Sequence, residues 1–347
     1  MDKQISISMP DDFHVHLRHG ALMKTVVPYT SGTFRRALVM PNTATPILTG
    51  MDAIVYGKRI MAVAAQAGHR EFFPLMTIKL TDHTTPDMIK RAKDMGGVVA
   101  AKLYPVGVTT NSADGISLTN LAFKNKEIFT AMEECGMVLC VHGEMPGAPV
   151  LERESRALRE LTILAEYFPN LRIVLEHVSS ADGVDWVKQF PRNVAATVTA
   201  HHLMLTLEDV IGNGINPHYF CKPIAKSRDD QLALIRAAIH DYRFFFGSDS
   251  APHYRKKKEC QGGAAGVFVP GQVAMSVVAD IFEREVPMAW LEKFEQFMSL
   301  RGAEFYRLAP NTERAVLRRE KWRVPAVIRG VVPFLAGEEV NWTAVRA

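Results

Sequence analysis

Eight short β-rich runs recur along the chain, separated by stretches of helical periodicity. The runs span residues 5–16, 37–42, 72–81, 98–105, 137–144, 172–179, 194–202 and 244–253. Between them, residues 51–67, 85–95, 121–135, 152–167, 181–190 and 229–241 repeat apolar positions at helical spacing. Several runs are nearly continuous in Val, Leu, Ile or Ala, as in parallel strands covered by helices on both faces. Eight such units in roughly 250 residues predict an α/β chain folded as a (β/α)8 barrel of the TIM type. A doubly wound open sheet is the alternative, but no glycine-rich phosphate loop follows the first run. Beyond residue 268, helical patterns at 271–284 and 289–308 precede a tail rich in Val and Pro. No Gly/Ser-rich or charged linker sets these apart, so residues 1–347 read as one barrel domain with the C-terminal helices and tail packed on it.

Composition narrows the function classes. Hydrophobic residues make up 48% of the chain, enough for a large core, yet no apolar run is long enough to span a membrane. The N-terminal Met1-Asp2-Lys3-Gln4 lacks the plan of a signal peptide, so the expected location is cytoplasmic. The four cysteines have no CxxC spacing and are too few for a disulfide scaffold. The basic run Arg255–Lys258 has no aromatic interleaving, and it reads as a solvated loop face rather than a nucleic-acid site.

In a barrel of this kind the chemistry sits where the strands end. The first run ends in His14-Val15-His16, and strand alternation puts both imidazoles on one face, half of a transition-metal site. Arg18 keeps that parity, a cation placed for a bound anion. Four further runs end in Lys102, in His142-Gly143-Glu144, in Glu176-His177 and in Ser248-Asp249-Ser250. One His at a strand end is ordinarily structural, and Lys102 or Asp249 alone has an equally plain reading as a snorkelling lysine or a turn cap. Five strand ends delivering such groups to one rim predict a metal site. His201-His202 stays outside this set, because adjacent strand residues face opposite ways. The histidines at 69, 83, 218 and 240 read as solvated.

The ordered set resembles the dihydroorotases of the single-chain bacterial type, within the amidohydrolase superfamily of metal-dependent hydrolases. Asp12-Phe13-His14-Val15-His16-Leu17-Arg18-His19-Gly20 resembles that family's first signature, and Gly247-Ser248-Asp249-Ser250-Ala251-Pro252-His253 with Lys258 its second. Met40-Pro41-Asn42, Ala101-Lys102-Leu103-Tyr104-Pro105, Val141-His142-Gly143-Glu144, Glu176-His177 and Val332-Pro333-Phe334-Leu335-Ala336-Gly337-Glu338 follow the family order. The resemblance covers nearly the whole chain.

It implies two zinc ions per subunit. His14, His16 and Asp249 would hold one and His142 and His177 the other, with Lys102 bridging them as an N6-carboxylysine made with carbon dioxide. Carboxylation resolves an oddity, since an ammonium has no lone pair to give a metal. The implied reaction is reversible closure of N-carbamoyl-L-aspartate to L-dihydroorotate in pyrimidine biosynthesis, with Asp249 as acid and base. Arg18, Asn42 and His253 would contact the substrate carboxylate, His142 would also touch substrate, and the backbone near Lys222 and Pro270 would face the ring. Thr109 and Thr110, in Gly107-Val108-Thr109-Thr110-Asn111, would close over the ligand. Two positions depart from the family pattern: Lys222 replaces a frequent leucine, and Pro270 has no N–H to offer. The partners implied are the small-molecule substrate and a second copy of the chain, as a homodimer. A dihydropyrimidinase or allantoinase type and a non-catalytic scaffold are the rivals. Arg18 and Asn42 argue against the first, and the retained Lys102 and Asp249 against the second. A mononuclear deaminase, which needs a glutamate proton shuttle beside the fifth strand, is a third rival, carried only by Glu144.

Overall fold

The computed structural model describes residues 4–109 and 111–346. The chain opens with β1 (Gln4–Ser8) and then enters an eight-stranded parallel sheet. Its members are β2 (Asp11–Val15), β3 (Arg36–Val39), β4 (Phe73–Lys79), β5 (Val98–Leu103), β6 (Val138–Val141), β7 (Ile173–Leu175), β8 (Val194–Val198) and β9 (Phe244–Phe246). Each strand pairs with the next in chain order. The first and last ends meet where Asp249 N–H donates to the His14 carbonyl at 2.8 Å and His16 N–H to the Ser250 carbonyl at 3.0 Å. Helices cross between the strands, which is the (β/α)8 barrel the sequence predicts.

The first expected strand is split. Met9-Pro10 separates β1 from β2, and proline cannot donate to a ladder, so pairing is interrupted there. β1 pairs antiparallel with β10 (Arg314–Arg323), which in turn pairs with β11 (Glu339–Arg346). The Val- and Pro-rich tail therefore supplies two strands of a separate three-stranded sheet. Trp342 of β11 is buried, and its backbone N–H donates to Ser276 Oγ on the helix Gly271–Glu285 at 3.0 Å. The expected helix at 289–308 is broken into Trp290–Glu295, a π-helical turn Gln296–Leu300, and Arg301–Phe305.

That last helix closes the barrel floor. Phe13, Leu38, Leu75, Val138, Val174, Ala195 and Phe245 point inward and pack with Ala303 and Tyr306. Gly302 makes the approach possible, since a Cβ there would lie 2.3 Å from the Phe13 ring. The Arg301 guanidinium is buried and donates to the carbonyls of Ala238, Ile239 and Phe244. Among the described residues no helix is long and apolar enough to cross a membrane.

Candidate metal centre and active site

Strand alternation carries the inward face up to the rim. Ala100 lies in the interior cluster, so Lys102 two residues later points inward as well, and Val138 and Cys140 lead in the same way to His142. On β7 the parity reaches Glu176. His177 then turns back inward because its backbone takes φ +41, and Asp249 and Arg18 also sit in left-handed backbone, at +41 and +58. A non-glycine residue in this left-handed region costs about 1–2 kcal/mol. Three such residues at one rim mark a site where side-chain direction outweighs backbone ease.

The donor atoms converge. His14 Nε2 and His16 Nε2 lie 3.3 and 3.2 Å from Asp249 Oδ1, and the three ligand atoms fall within 4.8 Å of one another. His142 Nδ1 faces His177 Nε2 at 3.1 Å, and the His14 and His177 rings are 5.0 Å apart. His14 and His142 are each oriented from behind by a carboxylate. Glu176 Oε2 meets His14 Nδ1 at 2.6 Å, and Glu144 Oε2 meets His142 Nε2 at 2.6 Å. Such partners fix the ring tautomer and leave the opposite nitrogen as the free donor. Thr197 holds this layer, donating to Glu176 Oε2 at 2.6 Å and accepting from His177 N–H at 2.6 Å. Asp12 ties the two ends of the barrel together by accepting from Ser248 N–H, Ser248 Oγ and His14 N–H.

Burial sets the charges. It drives the His16 imidazole down to about 4 and His177 well below its ordinary value, so both rings are neutral at neutral pH. Burial acts to raise Asp249, but hydrogen bonds with His14 and His16 hold it well below the usual carboxylate range. Lys102 is fully buried, its ammonium is disfavoured by burial, and its Nζ has no hydrogen-bond partner among the described residues. The Tyr104 ring lies 5.3 Å from that nitrogen. The neutral imidazoles of His16 and His177, the ionised Asp249 and an unpaired buried amine form a donor set suited to metal rather than to ion pairing.

A cavity of about 390 Å³ opens over these groups. His14, His16, Arg18, Asn42, Thr109, His142, His177, Lys222 and Asp249 all line it. Lys102 sits behind the wall, and His253 stands beside Arg18. The guanidinium donates to the Pro252 carbonyl at 3.1 Å and to His253 Nε2 at 3.2 Å, and burial together with Arg18 pushes His253 down to about 3, so it accepts as a neutral ring. Lys222 does more than offer its backbone: its Nζ donates to the Val108 carbonyl at 2.7 Å. Lys79 Nζ donates to the Asn111 carbonyl and pairs with Asp114, and Asn111 Nδ2 donates to the Asn42 carbonyl. These contacts hold Val108, Asn111 and Asp114 beside the cavity. Thr110 lies outside the described residues.

Pro270 is the residue that the structure does not bring to the site. It precedes the helix Gly271–Glu285 and is absent from the cavity wall, where Ala264, Ala265 and Gly266 stand instead. Counting along an aperiodic loop gives no register, so the sequence alone does not tell which residue of this segment reaches the cavity. The orienting roles of Glu176, Glu144 and Asp12, and the part of Thr197 and Lys79 in the site, are not legible in the sequence, because an orienter is defined by what it touches. Glu144, read as a candidate proton shuttle, is the partner of His142. His201 and His202 lie not on a strand but on the short helix Ala200–Met204, and both are buried.

A model of the amidohydrolase family matches residues 51–253. The chain is 42% identical to a dihydroorotase of Azoarcus sp. over 98% of its own length and 99% of that protein. The crystal structure of the Saccharomyces cerevisiae dihydroorotase in complex with 5-fluoroorotic acid superposes with a TM-score of 0.92 at 35% identity, covering 99% of this chain and 98% of that one. The Campylobacter jejuni dihydroorotase gives 0.89 at 34% identity, over 98% and 97% of the two chains. The metal-type rim on a (β/α)8 barrel is thus that of an amidohydrolase. Within that class, the chain belongs to the dihydroorotase family. Membership implies a metal cofactor, and the group His14, His16 and Asp249 is able to hold one.

Proposed function

We propose that the chain interconverts N-carbamoyl-L-aspartate and L-dihydroorotate, the ring-closing step of pyrimidine biosynthesis. The observation that carries this reading is Arg18, held between His253 and the Pro252 carbonyl in the wall of the cavity on which the metal-type donors converge. A guanidinium there matches an anionic carboxylate, and a neutral cyclic amide would have no use for it.

His14, His16 and Asp249 would hold one zinc ion and His142 and His177 a second. The unpaired Lys102 amine is the group that carbon dioxide would convert into an anionic bridge. When bound, the two cations supply Lewis acidity toward the ring carbonyl and make water nucleophilic at neutral pH. Asp249, held ionised, takes the proton released as water adds in the hydrolytic direction and returns it to the leaving ring nitrogen. Arg18, Asn42 and His253 orient the carboxylate, and His142 adds a contact from the metal side. The backbone at Lys222 and at Ala265, in place of Pro270, faces the ring. Thr109 and Thr110 would exclude water, and Lys222 and Lys79 hold the nearby carbonyls of Val108 and Asn111. The family resemblance also supports one barrel domain over residues 1–347, assembled as a cytoplasmic homodimer.

Assaying zinc-replete protein on dihydroorotate and on dihydrouracil, a neutral ring, tests the reading. Turnover of dihydroorotate alone is expected. Failure to turn over dihydroorotate sinks the assignment, and comparable turnover of both removes the carboxylate clamp.

A further inference from the structure

Beneath the cavity wall lies a second cluster of metal-type donors, independent of the first. His201, His202 and Cys221 are fully buried, and one ligand atom from each falls within 4.8 Å of the others. A point within about 2.8 Å of all three atoms therefore exists, close to the 2.0–2.3 Å of zinc–nitrogen and zinc–sulfur bonds. A fourth donor converges on the same place. The Pro223 carbonyl oxygen is 3.1 Å from Cys221 Sγ and 2.9 Å from His202 Nε2, while Sγ and Nε2 are 3.8 Å apart. Sulfur, nitrogen and oxygen at these separations outline three edges of a tetrahedron of zinc size.

His201 supplies the observation that points to an occupant. Neither of its ring nitrogens has a hydrogen-bond partner among the described residues, although the side chain is wholly buried beside His202, with ring centroids 4.6 Å apart. A buried imidazole left without partners is costly and calls for a ligand. His202 is already supported from behind, since Thr199 Oγ1 lies 2.9 Å from its Nδ1.

We propose that His201, His202 and Cys221, with the Pro223 carbonyl, form a further site for a zinc-class divalent cation, distinct from the rim centre. Binding exchanges the Cys221 thiol proton for a metal–sulfur bond and releases that proton to solvent. The His202 proton passes from Nε2 to Nδ1, where the Thr199 hydroxyl turns to accept it, so charge and atoms balance. The cation would brace residues 220–223, the segment that presents Phe220 and Lys222 to the cavity.

Cobalt(II) titration of the full chain reads this site directly. The donors at the rim are nitrogen and oxygen, so a thiolate-to-cobalt charge-transfer band in the near ultraviolet reports a cysteine ligand. The expected result is a band that persists in Lys102→Ala and Cys140→Ser and is lost in Cys221→Ser and in His201→Gln. Zinc-saturated Cys221→Ser should hold one metal ion per chain fewer than the parent. Both variants are checked for folding by circular dichroism, and His201→Gln keeps the test open if Cys221→Ser does not fold. No cobalt–thiolate band, a band that survives Cys221→Ser, or equal zinc content overturns the proposal and leaves an ordered water as the partner of His201.

Discussion

At its floor the barrel is closed by Phe13, stacked on Tyr306 at 4.9 Å and edge-on to Phe245 at 5.3 Å, with the Arg301 guanidinium donating to three carbonyls. At its rim the same strands end in histidines, carboxylates and an amine, with Arg18, His177 and Asp249 in left-handed backbone and Lys102 Nζ unpaired. The floor is where local preference and packing agree. The rim is where they conflict, and where the family's chemistry implies that ligands resolve the conflict. A barrel can separate the two because each strand delivers its lower residues to one layer and its last residues to another.

The sharpest way to break this contrast is to change one residue at each end. Lys102→Ala should lower turnover by on the order of 10³-fold or more, with partial rescue by a short carboxylic acid and little loss of thermal stability. Phe245→Ala should do the reverse, lowering the unfolding free energy in urea by about 3–5 kcal/mol while the folded fraction keeps its kcat. If Lys102→Ala mainly unfolds the protein, or Phe245→Ala mainly abolishes turnover, the division between the ends is wrong.

Within the rim, Arg18→Met should raise KM for dihydroorotate about 10–100-fold with metal content unchanged, as expected for losing a charged hydrogen-bonding partner. Loss of metal instead would move Arg18 from the clamp to the metal support. Glu144→Gln should weaken zinc retention against a chelator by about 10–100-fold, since it removes the group that orients His142. Unchanged zinc affinity would return Glu144 to the role of a proton carrier.

The smallest expected effect is a titration. Lys258 donates to the carbonyls of Phe220 and Gly266, holding together two segments of the cavity wall, and burial lowers its pKa to about 8. An unfolded lysine keeps its proton to about 10.4, so the contribution of this group is present above that value and is lost as pH falls through 8. Between pH 8 and 9, parent protein should gain on the order of 1 kcal/mol relative to Lys258→Met in chemical denaturation. A pH-independent difference would show that the ammonium is not penalised by burial.

Much of this is legible in the chain. Alternating runs of apolar strand and periodic helix point to a closed parallel barrel, and the parity of Ala100 with Lys102 is enough to aim that side chain inward. Phe13 and His14 both face inward, because the pairing register shifts between Asp12 and Val15. Strand periodicity is local, so a sequence can carry it. The exit of β1 at Pro10 is less visible, because Ile5 and Ile7 alternate as well as a barrel strand does, and only pairing with β10 assigns them to another sheet. β10 itself, Arg314–Arg323, falls within the tail in which the sequence shows no strand, and it is dense in Arg and Lys.

By itself the sequence determined the barrel, the residue types at its rim and the order in which they arrive. Those follow from periods of 2 and 3.6 residues and from which side chains stand at the strand ends. Tertiary structure alone decided which groups orient them, how Glu176 meets His14 across 162 positions, and that Ala265 rather than Pro270 lines the cavity. It also turned His201 and His202 from strand neighbours facing apart into two rings on one buried turn beside Cys221. The physical reason is the same in each case: a donor's role is set by the atom opposite it, and that atom comes from a distant part of the chain.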